Sequence, residues 1–498
     1  MAGVCLVLTA STIEEDLRQI ARYRPYLDFV ELRVDLLDER EIGSIGVVPS
    51  RCNVPAILTI RKTRDGGKFD RSESERIEIF RRGTDSGFAF VDFEDDFFGD
   101  SAEQLRIEFV DARTRIIRSR HDFAGVPDDL DGLYRTLSER RGEIPKIAAN
   151  PQRFSDSVRL YEAARSWPSS ERIVLGMGSF GFFTRVLAHK LGSFLTFTSA
   201  KGESGAPGHI DPETLCEVFR YLEIGDSTRV FGVIADPVMH SKSPWIHNPA
   251  FEASNMDAVY VPFHVDEPET FFQAWDLLDV DGISVTVPHK ERVIQHLASV
   301  DEAVKSVGAC NTVVRGGNGA FRGMNTDVPG FLAAVRSLFD GGELPNRALV
   351  VGAGGTARSV VFALIGRGID VMVVNRTVER ARELAELLGC AWGPLDITSE
   401  REMREHSPLI VQTTSAGMAP NNEIDPLDFF ELTGEETVYD VVYAPPVTKL
   451  LLRAEKSGCR TMNGLSMLLE QAYAQYEEFT GRPYPRDAGP LLNLAEIW

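Results

Sequence analysis

Nowhere in the 498 residues does an apolar run reach the roughly 18 residues that a membrane-spanning helix needs, so no membrane partner is expected. Cysteine is scarce: Cys5, Cys52, Cys216, Cys310, Cys390 and Cys459 are scattered, with no CxxC pair. That spacing excludes a disulfide framework and a thiolate zinc site, and it points to a reducing cytoplasmic location. Positive charge is also short, with 53 Lys and Arg against 74 Asp and Glu and a net charge of -21. A broad basic surface for nucleic acid is thereby excluded, and any anionic ligand must be met by cations gathered locally. The opening MAGVCLVLTASTIEEDL turns acidic after one short apolar run, so no secretory leader is expected. What remains is an ordinary globular composition, 43% hydrophobic and 26% charged, in a chain long enough for two or three cores.

Eight short β-branched runs occupy the first 200 residues: VCLVLTA from Val4, FVELRVD from Phe29, AILTIR from Ala56, FAFVDFED from Phe88, RIIRSRHD from Arg115, IPKIAAN from Ile144, RIVLGMG from Arg172 and FLTFTSA from Phe194. Segments with helical spacing, such as STIEEDLRQIARY and DRSESERIEIFRRG, lie between most of them. This alternation predicts a (β/α)8 barrel within an α/β protein. Polar residues collect at the strand ends that carry active sites in that architecture: Glu31, Arg33 and Asp35, Arg61, Asp92 and Glu94, His121, Lys146 on the sixth strand, and Arg185 after the seventh.

Lys146 is the most informative of these, because a lysine between Pro145 and Ile147 in a strand is costly to bury. It either snorkels to solvent or is an amine tuned by burial to attack a carbonyl. A strand-end histidine and several arginines in its company favour the second reading. ELRVD, LTIR followed by DGG, RHDF, PKIA, LGMGxxGxxTR and APGH, in that order over about residues 1–225, resemble the type I 3-dehydroquinate dehydratases. The resemblance implies that Lys146 forms an imine with the substrate ketone and that His121 is the acid–base residue. It also implies that Arg185 clamps the carboxylate and that Arg61, Glu31 and Arg33 shape the hydroxyl-binding wall. Two positions depart from the family: Asp65 stands where a glutamate usually supports the histidine, and His209 ends a lid loop that usually ends in glutamine. With a reference pKa of about 6.5, His209 is expected to titrate near neutrality and to tighten its contact with the carboxylate when protonated.

The barrel pattern ends near EIGDST at residues 223–228, and a second α/β region follows. Strand RALVV, turn GAGGTA, a helix and strand DVMVV ending in NRT form a Rossmann-type unit. Gly352, Gly354 and Gly355, with Ala353, Thr356 and Ala357, let the backbone approach a pyrophosphate at a helix N-terminus. The place usually held by a ribose-binding acid carries Asn375, Arg376 and Thr377, with Arg380 one turn on, so NADP(H) is expected over NAD(H).

HSKSPWIHNPAF, GISVTVPHKE, GACNTVV and GMNTDVPGF, then VGAGGTA, NRT, TTSAGM, DVVYAPPVTKLL and NGLSMLLEQA, resemble the shikimate dehydrogenases over about residues 230–498. The resemblance implies that Ser241, Ser243 and Tyr443 hold the substrate carboxylate and that Thr286, Asn311 and Gln471 bind ring hydroxyls. It makes Lys290 and Asp327 the catalytic pair and adds Gly464 to the cofactor site. No histidine or cysteine spacing suits a metal. The expected division is a barrel over 1–225, a substrate domain over 229–330 with C-terminal helices from 464–498, and an NADP-binding domain over 331–463. Together the halves would turn 3-dehydroquinate into 3-dehydroshikimate and then into shikimate. A regulator that has lost catalysis is disfavoured because Lys146, His121, Lys290 and Asp327 are all present. A class I aldolase, as a reading of the barrel alone, is disfavoured by the RHDF histidine and the DGG turn. Use of quinate in the second half stays open at this point.

Overall fold

The structure, a computed structural model, describes residues 2–168, 171–202, 208–317 and 319–489. Most of the expected lid loop (203–207) and the end of the expected C-terminal segment (490–498) lie outside the described residues. The chain forms two compact units, Met1–Pro244 with Met256–Val280, and Trp245–Asn255 with Asp281–Trp498.

All eight expected strands of the first unit form: β1 (Gly3–Leu8), β2 (Phe29–Arg33), β3 (Ala56–Thr59), β4 (Phe90–Glu94), β5 (Arg115–Asp122), β6 (Ile144–Ala149), β7 (Ile173–Gly176) and β8 (Leu195–Ser199). They make one parallel sheet in the order 7-6-5-4-3-2-1-8. Between β7 and β8 the seam is bridged by Phe194 N donating to Arg172 O at 2.6 Å and Val174 N donating to Ser193 Oγ at 3.1 Å. The floor is apolar, built from Cys5, Val7, Ile57, Ile117, Ile173 and Leu195 among others. Fully burying each aliphatic side chain there stabilises by about 1.5–3 kcal/mol, which offsets the cost of the polar layer above. In the same unit β9 (Arg229–Ala235) pairs in parallel with β10 (Ala258–His264).

In the second unit β11 (Val280–Val285), β12 (Ser299–Val300), β13 (Thr312–Arg315) and β14 (Phe321–Met324) form a small sheet, with β13 antiparallel to both β11 and β14 and β12 parallel to β14. Then β15 (Arg347–Val351), β16 (Asp370–Asn375), β17 (Ala391–Pro394), β18 (Leu409–Gln412), β19 (Thr437–Asp440) and β20 (Arg460–Met462) give a parallel sheet in the order 17-16-15-18-19-20. The strand order reverses between β15 and β18, which places a ligand crevice beyond their C-terminal ends. Apolar clusters cover both faces of this sheet, one around Val350, Val360 and Val373 and the other around Leu349, Met372 and Ile410. The last long helix runs Leu465–Thr480. Its Tyr476 hydroxyl donates to Ser254 Oγ at 2.6 Å, and its Gln471 backbone packs directly on Gly330, where any Cβ would collide.

Candidate active sites

Side chains two apart on a strand point the same way, so Glu31 and Arg33, Asp92 and Glu94, and Ser119 and His121 each share the barrel's inner face. Strand register then places Ser119 beside Lys146 and Glu94 beside Ser119. The result is a cavity of about 180 Å³ lined by Glu31, Arg33, Arg61, Asp65, His121, Lys146, Arg185 and His209. All eight are positions the sequence singles out, brought together from residues 31 to 209.

Asp92, which the sequence reading placed at a strand end without a role, is the hub. Its Oδ2 lies 2.9 Å from both Arg61 Nη2 and Lys146 Nζ, and its Oδ1 accepts from Ser119 Oγ at 2.5 Å. Burial pushes this carboxyl up, but the Arg61 and Lys146 charges overcome that and hold it well below the usual carboxylate range. Lys146 also lies 3.5 Å from Glu31 and 4.2 Å from the centre of the Phe197 ring. Arg33 forms a bidentate pair with Asp35 at 2.9 and 2.7 Å. Asp35 in turn accepts the backbone N–H of Arg61 and Lys68, tying the DGG turn to β2. That turn needs its glycines: a Cβ on Gly66 would strike the Phe123 ring, and one on Gly67 the carbonyl of Arg61.

The surroundings of His121 favour its neutral form. Burial pulls its imidazole well below 6.5, the Arg61 and Lys146 charges pull the same way, and Asp92 only partly opposes them. Its Nδ1 is buried with no hydrogen-bond partner among the described residues. Asp65 lines the same cavity, but its carboxylate accepts from Arg64 Nε at 2.9 Å instead of bracing His121.

Arg185, on the helix Gly178–Val186 after β7, is buried, and burial pulls its guanidinium down to about 9. His209 corrects an expectation. Its ring is packed into the cavity, and burial, with the Arg185, Arg33 and Lys146 charges, pushes its pKa well below 6.5. The direction of that shift runs against the titration near neutrality expected from the sequence. The glycine before it explains the close seat: Gly208 has φ +77, and a Cβ there would come within 2.5 Å of Gly178 O.

In the second unit Lys290, on the turn after β11, donates to Asp327 Oδ2 at 2.6 Å. Asp327 opens the helix Asp327–Leu338, where the free N–H groups favour an anionic side chain. Asn311 Nδ2 donates to Asp327 Oδ1 at 2.8 Å and to Thr326 Oγ1 at 2.9 Å, so three expected site residues form one network. Gln475, which sequence reasoning missed, donates to Asn311 O at 3.3 Å and accepts from Ser284 Oγ at 2.9 Å. Its signal was available: it lies one helical turn beyond Gln471 on the same helix face. Thr286 is half-buried four residues before Lys290, and Gln471 Nε2 donates within its own helix to Leu468 O. Tyr443 is half-buried, and burial raises its phenol pKa. Ser241 and Ser243 sit in the first unit on the turn after β9, their hydroxyls 3.2 Å apart.

At the end of β15, Gly352 has φ +114, and a Cβ on it would meet Thr413 Oγ1 at 2.5 Å. Gly354 caps the helix Gly355–Ile365, and both glycines face open space where a side chain would block a phosphate. Ala353 completes this turn, while Thr356 and Ala357 lie in the first turn of the helix, Ala357 buried in the apolar core. After β16, Asn375 Nδ2 donates to Thr377 O at 2.8 Å, shaping the turn that presents Arg376 and Arg380. Both arginines are exposed and form no ion pair among the described residues, which suits a 2′-phosphate. A Cβ on Gly464 would collide with Val441 O, so this glycine allows two backbones to touch beside the crevice. No group of three His, Cys, Asp or Glu side chains is poised to hold a metal ion among the described residues, and no described helix is long and apolar enough to cross a membrane.

These two constellations have counterparts among known proteins. The family model for type I 3-dehydroquinase matches residues 4–258. The models for the shikimate dehydrogenase substrate binding domain, shikimate/quinate 5-dehydrogenase and the shikimate 5'-dehydrogenase C-terminal domain match residues 233–313, 336–419 and 464–488. A chloroplastic bifunctional 3-dehydroquinate dehydratase/shikimate dehydrogenase of Arabidopsis thaliana is 33% identical over 510 residues, covering 97% of this chain and 83% of its own length. A shikimate dehydrogenase (NADP(+)) of Moorella thermoacetica is 40% identical over 275 residues, 53% of this chain and 92% of its own. A crystal structure of a shikimate dehydrogenase in complex with NADP+ aligns with a TM-score of 0.50 at 32% identity, covering 55% of this chain and 98% of that one. From end to end, then, the chain belongs to the bifunctional 3-dehydroquinate dehydratase/shikimate dehydrogenase family.

Proposed function

We propose that the barrel dehydrates 3-dehydroquinate through an imine on Lys146 and that the second half reduces the product, 3-dehydroshikimate, to shikimate with NADPH. The observation that carries the first step is the juxtaposition of Lys146 and neutral His121 in one cavity with Arg61 and Arg185. Lys146 Nζ adds to the ketone carbon, and loss of water leaves a protonated imine that acidifies the neighbouring C–H. Neutral His121 takes that proton and returns it to the departing hydroxyl, which leaves as water. Hydrolysis of the imine frees Lys146. Arg185, charged at neutral pH and desolvated, is suited to clamp the substrate carboxylate. Arg61, Arg33, Glu31 and neutral His209 supply donors and acceptors for the hydroxyls.

In the second step NADPH supplies the hydride. Lys290 places an ammonium where charge builds on the carbonyl oxygen and gives up the proton that completes the alcohol. Asp327 orients that ammonium, and Asn311 orients Asp327. Thr286, Asn311 and Gln471 bind ring hydroxyls; Ser241, Ser243 and Tyr443 hold the carboxylate. Residues 352–357, Asn375, Arg376, Thr377, Arg380 and Gly464 form the cofactor seat. The corresponding division is a barrel over 1–225, a substrate domain over 229–330 with 464–498, and an NADP-binding domain over 331–463. Six unpaired cysteines favour a reducing compartment, the cytoplasm, and the net charge of -21 disfavours nucleic acid as a partner.

The test is to supply 3-dehydroquinate and NADPH together and follow shikimate formation and NADPH loss. Borohydride should trap the substrate on Lys146, and Lys146→Ala should abolish dehydration while sparing reduction of added 3-dehydroshikimate. An adduct on another lysine, or dehydration by the variant, overturns the assignment.

A further inference from the structure

Asp440, at the C-terminal end of β19, is fully buried, and neither step above uses it. Its carboxylate collects donors from three places. Oδ1 accepts from Val442 N at 3.0 Å and from Gln412 Nε2 at 3.3 Å; Oδ2 accepts from Thr448 Oγ1 at 2.7 Å. Each donor belongs to a different working part. Val442 precedes Tyr443. Gln412 wraps the loop after β18: its Nε2 donates to Thr414 O and Ala416 O, and its Oε1 accepts from Thr414 N. Thr448 caps the helix Lys449–Lys456 by accepting from Leu451 N at 3.3 Å, and it packs on Gly417, where a Cβ would approach its Cγ2 to 2.8 Å.

The wrapped loop lies at the reversal of strand order. Thr413 N and Thr413 Oγ1 both donate to Val351 O, at 2.9 and 2.7 Å, one residue before Gly352 of the phosphate turn. The segment after Asp440 leads to Gly464, whose N–H donates to Val442 O at 3.1 Å.

We propose that Asp440 is a positioning residue of the dehydrogenase, a single carboxylate that sets the Tyr443 segment on the substrate side and residues 413–417 on the nucleotide side. Its substrate arm rests on the reading above that Tyr443 binds the substrate carboxylate; its nucleotide arm does not.

The network matches an acceptor-only carboxylate, since all three partners donate. Burial raises its pKa to about 6, against the lowering effect of the three bonds. Among the described residues, the charge that also pushes it up is that of Asp425, itself paired with Arg453 at 2.7 Å. A proton on Oδ2 makes the Thr448 hydroxyl turn round and weakens the hold on all three segments.

The test uses the full-length enzyme with Asp440→Asn and Asp440→Ala, with dehydratase turnover as the internal control for folding. Asparagine keeps the shape: its oxygen can serve Val442 and Gln412 while its amide faces Thr448. In Asp440→Asn, KM for shikimate and KM for NADP+ should each rise by about 5- to 10-fold, the difference between a charge-assisted and a neutral hydrogen bond, with kcat little changed. Wild-type KM for shikimate should rise as pH falls through about 6, and the asparagine variant should lose that dependence. If Asp440→Asn matches wild type in both KM values and in pH profile, the proposal is overturned, even where Asp440→Ala melts early. Tyr443→Phe separates the two readings. If it leaves KM for shikimate unchanged, the Tyr443 assignment falls, and the proposal then stands or falls on KM for NADP+ in Asp440→Asn.

Discussion

Replacing Asp92 with asparagine should damage the barrel site more than any change to its periphery. The substitution keeps size and shape, so packing is preserved. What it removes is one negative charge held 2.9 Å from both Arg61 and Lys146, with all three side chains almost wholly buried. At an effective dielectric constant of about 20, each pair at that distance attracts by roughly 6 kcal/mol, much of it offset by desolvation. Experience with buried pairs places the net cost of removing one partner at about 3–5 kcal/mol. For a unit of this size that lowers the melting temperature by roughly 6–20 °C, at about 2–4 °C per kcal/mol. Whichever way the asparagine turns, its amide hydrogens face a cation, either Nη2 and Nζ or Arg61 Nη1, so the charged cluster must shift. A shift on the order of 1 Å in a reacting group lowers turnover by about 100-fold. Calorimetry of Asp92→Asn, with dehydratase turnover and borohydride trapping measured at one pH, reads both effects, and dehydrogenase activity serves as the control. A variant that melts with wild type and retains dehydratase turnover within about twofold would refute the reasoning, because the hub would then carry no energy.

Lys290→Ala should lower reductase turnover by about 100-fold or more while leaving dehydration intact; near-normal reduction would remove Lys290 from proton transfer. Arg376→Ala or Arg380→Ala should weaken NADPH binding by about 1.5–3 kcal/mol in titration calorimetry and barely alter NADH binding; equal losses for both cofactors would place the arginines elsewhere. His121 and His209 both have pKa values pushed well below 6.5, so the unfolded chain binds protons first as pH falls below about 6.5. Thermal stability of the barrel should therefore decline on that acid side, and His209→Gln should make the decline shallower. By the same reasoning KM for 3-dehydroquinate should be flat from about pH 6 to 8; a rise across that window that His209→Gln abolishes would show that His209 titrates there after all.

The barrel strands were legible because each is a short β-branched run, and the β5 run Arg115–Asp122 matches its expected limits at both ends. Lys146 stood out as a lysine among apolar neighbours, whereas Arg61 and His121, in RKTRD and RSRHD, stood out by their place at strand ends. Connectivity was hidden. Asp92 and Glu94 look alike in FVDFE, yet Asp92 holds Lys146 while Glu94 pairs with Arg76, a fully buried arginine from the preceding helix. Strand register and barrel stagger decide that difference, and a linear pattern does not encode them. His209 shows the same limit from another side. Its reference pKa is a property of the residue, whereas its displaced pKa comes from Arg185, Arg33 and Lys146, which are distant in sequence. Asp440 opens the DVVYAPPVTKLL motif, but its links to Gln412, Val442 and Thr448 are set by the fold and are not written in the sequence.

The acidic balance of the chain and the cationic demands of its substrates are reconciled differently in the two sites. In the barrel, cations are pre-assembled with buried acids: Asp92 between Arg61 and Lys146, Asp35 on Arg33, Glu31 within 3.9 Å of Arg61. Arg185 is also buried; its Nη1 donates to Phe197 O at 3.3 Å, and burial lowers its guanidinium pKa to about 9. Internal ion pairs thus hold the barrel's cations together. The nucleotide end of the second unit uses the opposite arrangement: Arg376 and Arg380 stay in solvent, where desolvation costs nothing until a ligand arrives. An imine site has to exclude water around a reacting amine, so its charges must be buried and prepaired. If Arg376 and Arg380 seat a phosphate, as proposed, they only have to hold a soluble dianion, and exposed arginines suffice. The two distributions of charge follow from what each end of the molecule must do, within one chain whose overall sign is negative.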